Sequence, residues 1–241
     1  MTSNQKAIPS SDRAFYDQEK MGSIDEHKQW MHEIEFYFNG YSSQFNDALA
    51  GTTGLIAELG AGSCGLSVCL SRLENVKQII SVDISIARMK KMIDTSADIL
   101  KGNKQKIEPV ECDFNGRLPF NDGELDAIVF DAALHHTRSM WDTLGECNRA
   151  LKKGGILVAQ RESYLNQFRA KKQLQRLLNT PEVAAQVSEN MYLQEQFHYY
   201  LTVSGFYGKF YPHAYSHLKR WIPILNNGRI FSDGYLWYSK V

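Results

Sequence analysis

Residues 55–65 read LIAELGAGSCG, and this stretch compresses a strand, a turn and the start of a helix. Leu55–Leu59 carries the apolar strand signal, with Glu58 near its end, and Gly60, Gly62 and Gly65 follow. Glycine adopts backbone angles that a Cβ disfavours and lets a ligand approach the main chain closely. A strand that ends in such a turn and passes into a helix is a nucleotide or cofactor cradle in an α/β sheet. Dinucleotide enzymes use a similar turn, so the turn alone leaves the cofactor open.

The strands that follow narrow the choice. Gln78–Asp83 reads as a second strand with Asp83 at its carboxyl end, where an acid can accept hydrogen bonds from both ribose hydroxyls of a nucleotide. Ile107–Glu111 is a third strand, running into Cys112 and Asp113, and Leu125–Phe130 is a fourth, tipped by Asp131. A helix over 139–152 then ends at Lys152, Lys153, Gly154 and Gly155 before a fifth strand, Ile156–Gln160.

The spacing E-x-G-x-G-x-x-G and the later segment LDAIVFDAALHH…ALKKGGILVA resemble, in order and spacing, the motifs of class I S-adenosylmethionine-dependent methyltransferases over about residues 52–162. The resemblance implies an α/β fold, a doubly wound and mostly parallel seven-stranded Rossmann-like sheet with an antiparallel C-terminal hairpin and a helical cap. It implies S-adenosyl-L-methionine as cofactor, held by Glu58, Gly60, Ala61, Gly62, Asp83, Ile84, Asp113, Phe114 and Asp131. In that family the acid matching Asp113 bonds the adenine amino group, a need that a dinucleotide oxidoreductase does not share. Such an oxidoreductase and a noncatalytic cofactor-binding module are the competing readings.

At 241 residues the chain suits one α/β domain with insertions. Lys and Arg total 27 and so do Asp and Glu, which leaves no excess for a large nucleic-acid footprint. The strand-four exit FDAALHH also lacks the N/D-P-P-Y/F sequence that resembles nucleic-acid methylating enzymes. The N-terminus MTSNQKAIPSSDR has no apolar core of the secretory kind, and no run approaches the roughly 20 apolar residues of a bilayer span. The expected location is cytoplasmic, without membrane insertion. Cys64, Cys69, Cys112 and Cys147 show no C-x-x-C spacing and read as small buried residues of a reducing compartment.

A single domain over 1–241 is expected, with a helical lid over 13–50, a cofactor-binding core over 52–162 and a helical cap inserted over 163–205. In the lid, Trp30, Ile34, Tyr37 and Phe38 recur at helical spacing. Methyltransferases of the resembled kind use such a segment to help close the acceptor pocket, and Tyr16 is its candidate contact here. Helices are expected over 86–100, over 139–152 with Trp141 in the core, over 163–178, from Thr180-Pro181-Glu182 onward, and over 193–203. The last two strands are expected around Tyr207–Tyr211 and Tyr235–Lys240. Of 28 aromatic residues, 14 lie between Tyr192 and Tyr238, including Tyr199-Tyr200, Phe206-Tyr207 and Phe210-Tyr211. Neighbours on a strand face opposite sides, so some of these should line an acceptor cavity or, in the alternative, a subunit contact of a homo-oligomer.

Methyl transfer from a sulfonium is an in-line displacement whose leaving group is already activated, so the protein has mainly to align the nucleophile and exclude water. A base is required only where the acceptor must lose a proton. His135 and His136 follow the fourth strand at the ligand edge of the sheet and are the candidate catalytic residues. No metal is expected, because adjacent histidines converge poorly on one ion. Arg161 and Glu162 close the fifth strand, and with Tyr16 and His198 they are the candidate substrate contacts. The expected partner is a small, bulky or aromatic molecule methylated at a hydroxyl or amine.

Overall fold

Alternating apolar strands and amphipathic helices place a parallel sheet between two helical layers, because both of its faces must be covered. The computed structural model describes residues 10–18, 24–162, 164–165, 170–179, 189–212 and 234–241. The main sheet contains β1 Leu55–Leu59, β2 Gln78–Asp83, β3 Ile107–Glu111, β4 Leu125–Asp131, β5 Leu151–Gln160, β8 Phe206–Pro212 and β9 Gly234–Lys240. Their order across it is β3-β2-β1-β4-β5-β9-β8. The first five strands are parallel, and β9 runs antiparallel to both β5 and β8. The order reverses direction between β1 and β4, so the carboxyl ends of these strands frame the crevice where α/β sheets bind ligands.

On one face, α2 Ile24–Asn39 and α3 Ser42–Ala48 join α4 Gly65–Leu70 and α5 Ile86–Leu100. Met31, Ile34, Phe38, Tyr41 and Phe45 from this layer pack with Ile56, Val129, Val158 and Trp237 of the sheet. The opposite face is covered by α6 Met140–Ala150 and α8 Gln194–Val203, whose Leu144, Phe197 and Leu201 pack with Phe130, Leu157 and Tyr238. Among the described residues, the remaining α-helices are α1 Ser10–Gln18 and α7 Ala170–Leu177. The hydroxyls of Ser85 and Ser139 accept N–H groups of the first turns of α5 and α6, which fixes where those helices begin.

Four local expectations are corrected. The helix expected to run to 152 ends at Ala150, and Lys152–Gly155 belongs to β5 instead of stopping a helix. Leu151 pairs with Leu125 and Ile156 with Ala127, so β5 carries extra residues there, and Gly154 turns them at φ +77°. Trp141, expected in the core, is half exposed and meets only an edge of Tyr200 among the ring contacts. In place of one helix over 163–178, Tyr164–Leu165 (β6) pairs in parallel with Tyr192–Leu193 (β7), and among the described residues of this stretch the helix is α7. The helix start at Thr180-Pro181-Glu182 lies outside the described residues. Among the described residues, no helix is long and apolar enough to cross a membrane.

Candidate active site

The turn after β1 is shaped by what stands against it. Gly60 has φ +75°, and a Cβ there would lie 2.6 Å from the Ala133 Cβ, so the loop after β4 can close on it only because it is glycine. Cys64 closes the turn in the left-handed conformation at φ 60°. Glu58, expected against the cofactor, lies behind the turn: it is 1% exposed and accepts the N–H of Ser67 at 2.8 Å as well as the Ser67 hydroxyl. It therefore anchors α4 to β1, and burial pushes its carboxyl up to about 8.

Asp83 ends β2 and faces the turn. One carboxylate oxygen accepts the Gly62 N–H at 2.8 Å and the other accepts the Ser85 N–H at 2.9 Å. Burial raises its pKa above the ordinary value, opposed by those same bonds. Asp113, after β3, accepts the Asn115 N–H at 2.9 Å and pairs through its second oxygen with Arg138. Each carboxylate oxygen has capacity for a second donor, so both acids can still receive a ligand.

These groups share one cavity of about 220 Å³. It is lined by Gly60, Ala61, Gly62, Asp83, Ile84, Asp113, Phe114 and Asp131, and so by every expected cofactor residue except Glu58. Tyr16, Trp30, Ile34, Arg88 and His136 complete the mouth. The helix α1 is held across it, since Arg13 pairs with Glu111 and Ser85 donates its hydroxyl to Asp17. Tyr16 then sits edge-on to His136, ring centres 6.4 Å apart, with the Arg88 guanidinium 5.9 Å from its own ring centre.

The far wall is built from charges tied to one another. Asp131 accepts a bidentate pair from Arg161 at 2.7 and 2.8 Å and a third bond from the Gln160 amide at 2.9 Å. Arg161, which has φ +55°, also lies 5.8 Å from the Trp30 ring centre. Glu162 is turned to the loop that follows β4. Its buried carboxylate accepts the N–H groups of Ala133, Leu134 and His135 at 3.0–3.2 Å and the His135 Nδ1 at 2.7 Å. Burial alone would raise its pKa, but the His135 bond and charge and the backbone donors hold it below the usual carboxylate range. Of the two histidines, His136 lines the cavity, while His135 is 5% exposed behind it.

His198 lies elsewhere, exposed on α8 and bonded through Nδ1 to the Tyr238 hydroxyl at 2.6 Å. The late aromatics do not line this cavity among the described residues: Phe206 and Tyr238 are core, Tyr207 is exposed, and Tyr211 stacks on Tyr235. The cavity's aromatic surface comes from Tyr16, Trp30 and Phe114 instead. Sequence reasoning missed Arg88, Arg138 and Glu189. The first two follow strand ends by a few residues, whereas Glu189 reaches His136 from the insertion, 3.2 Å away, and no local pattern announces it.

The sheet order, the glycine turn and the acids on consecutive strand ends give the chain a Rossmann-like fold similar to that of class I S-adenosylmethionine-dependent methyltransferases. Residues 57–159 match the family described as Methyltransferase domain. An uncharacterised chloroplastic methyltransferase of Arabidopsis thaliana is 34% identical over 102 residues, a match covering 40% of this chain and 28% of that protein's length. The methyltransferase solved in complex with the Haloferax volcanii Trm112 activator superimposes with a TM-score of 0.62 at 14% identity, covering 98% of this chain and 99% of its own. A geranyl diphosphate methyltransferase solved with GPP and sinefungin does so with 0.58 at 15% identity, over 83% and 78% of the two chains. At these identities the solved structures establish the fold alone.

Proposed function

We propose that this protein transfers a methyl group from S-adenosylmethionine to a hydroxyl or amine of a small, bulky or aromatic acceptor. The observation that carries the reading is the meeting of Asp83, Asp113 and the Gly60–Gly62 turn in one cavity. The fit is chemical: Asp83 can take the ribose hydroxyls, Asp113 the adenine amino group, and the glycine turn admits the ligand to the backbone. S-adenosylmethionine supplies the activated methyl group, so what remains for the chain is to bind, orient and exclude water. Tyr16 and Trp30, at the cavity mouth, are suited to cover an apolar acceptor, as the lid and cap segments on either side would require. His136 is the polar side chain best sited to face the acceptor, with His135 and Glu162 holding its turn from behind. The buried thiols suit a reducing compartment, and we take the cytoplasm as the location to be tested by fractionation.

Titration calorimetry of the full chain with S-adenosylmethionine and with NAD decides the cofactor. Tight dinucleotide binding with none for S-adenosylmethionine would overturn the reading. With a hydroxyl acceptor, His136→Gln should lower turnover by about 10²-fold and leave S-adenosylmethionine affinity nearly intact.

A further inference from the structure

Two adjacent histidines meet a glutamate from more than 50 residues later beside the cavity. Glu189 Oε1 lies 3.6 Å from His135 Nε2, its Oε2 lies 3.2 Å from His136 Nδ1, and one donor atom from each residue falls within 4.8 Å of the other two. Two ligands on a tetrahedral zinc, with bonds of 2.0–2.1 Å, stand about 3.3 Å apart. Both measured separations bracket that edge.

Adjacent histidines converge here because they offer different ring nitrogens. Their rings lie 4.2 Å apart and tilt by 40°, so Nε2 of the first and Nδ1 of the second turn toward one carboxylate. His135 is also oriented for this. Its Nδ1 is bonded to the buried Glu162 carboxylate at 2.7 Å, so that in the neutral ring, once a metal has displaced any second proton, Nε2 carries the lone pair. A carboxylate behind a histidine is the usual support of a metal ligand, fixing its tautomer and raising its basicity. Asn190 locks the third ligand's segment onto the same turn by donating to the carbonyls of His135 and Thr137 at 3.0 and 3.2 Å. Both contacts lie within ion-pair distance, but the 3.6 Å approach to His135 is too long for a hydrogen bond, so the carboxylate is held between the two rings without bonding both.

We propose that His135, His136 and Glu189 bind one divalent transition-metal ion, zinc by preference, with an open coordination position turned toward the acceptor. Two histidines and one glutamate with a fourth position open are a donor set of catalytic zinc. The ion would select acceptors that present oxygen, because a metal-bound hydroxyl loses its proton near neutral pH. That proton passes to solvent. The oxygen lone pair then forms the bond to the methyl carbon as the carbon–sulfur bond breaks, and sulfur keeps the electron pair. This last part rests on the methyl-transfer reading; the ion site does not.

The test uses the full chain, stripped with a chelator and titrated with Zn²⁺ by calorimetry and with Co²⁺ by visible absorption. One equivalent per chain is expected, with intense cobalt bands of low coordination number. Glu189→Gln and His136→Gln should each weaken zinc binding by more than about 10²-fold, beyond the usual loss for a supporting residue. Thermal unfolding without metal checks that both variants are folded. His136 is the safer substitution, its side chain being 23% exposed. No zinc bound by the wild type, or equal affinity in the wild type and both variants, overturns the proposal. S-adenosylmethionine titration is read separately: zinc binding without cofactor binding defeats the methyl-transfer reading and leaves the ion site standing.

Discussion

Glu58 and Glu162 are both buried glutamates near carboxyl ends of parallel strands, and they differ in what their carboxyls receive. Glu58 is served by one residue nine positions on, Ser67, and burial prevails. Glu162 is served by three backbone N–H groups and a histidine from a loop 27–29 residues earlier, and the donors prevail over burial. The cofactor side is thus a turn that holds itself. The acceptor side is stitched together across the sequence, and the donors of its histidine loop favour the charged form of Glu162.

The largest effect should come from removing that stitch. Glu162→Ala leaves several buried donors unmatched and should cost about 3–5 kcal/mol in urea unfolding at pH 7. Because the folded pKa of Glu162 is depressed, its contribution is present above about pH 4.5 and lost as pH falls through the lower folded value, so the gap to the variant should narrow in acid. A constant gap would break the contrast. Asp83→Ala comes next, and should weaken S-adenosylmethionine binding by roughly 1.5–3 kcal/mol in calorimetry.

Glu58 should behave with the opposite sign. Its folded pKa is raised, so its favourable contribution is full below about pH 4.5 and is lost as pH rises through about 8. Between pH 7 and 9 the wild type should lose on the order of 1 kcal/mol that Glu58→Gln retains, as measured by urea unfolding at the two pH values. The smallest change is expected at His198, exposed and away from the cavity: His198→Ala should alter stability by within about 0.5 kcal/mol and leave turnover near normal. A large loss of activity there would put α8 back at the acceptor.

The cofactor side was legible because its logic is local. A strand of five residues, three glycines and an acid at each following strand end can be read in order, and the seven-stranded sheet follows from their alternation. Glu58 shows the limit even there, since a residue inside the motif turned out to brace the helix rather than line the cavity. On the acceptor side, the role of Glu162 depends on backbone donors far earlier in the chain, and Glu189 meets the histidines only through the insertion. The aromatic pairs misled for a related reason. Adjacent strand residues do face opposite sides, but at Phe206-Tyr207 one side is core and the other open surface, not a cavity.

The hairpin at the sheet's edge has a consequence in time. β9 lies between β5 and β8, and among the described strands β8 reaches the sheet only through it. As the chain leaves the ribosome, β5 must wait with an unpaired edge for a strand that begins at Gly234. At about 5–20 residues per second, the roughly 70 intervening residues take several seconds to appear. Over that interval an open edge is a template for pairing with other chains. The exposure that most endangers this protein is therefore expected during its synthesis, and a chaperone that covers nascent strands would act in that window.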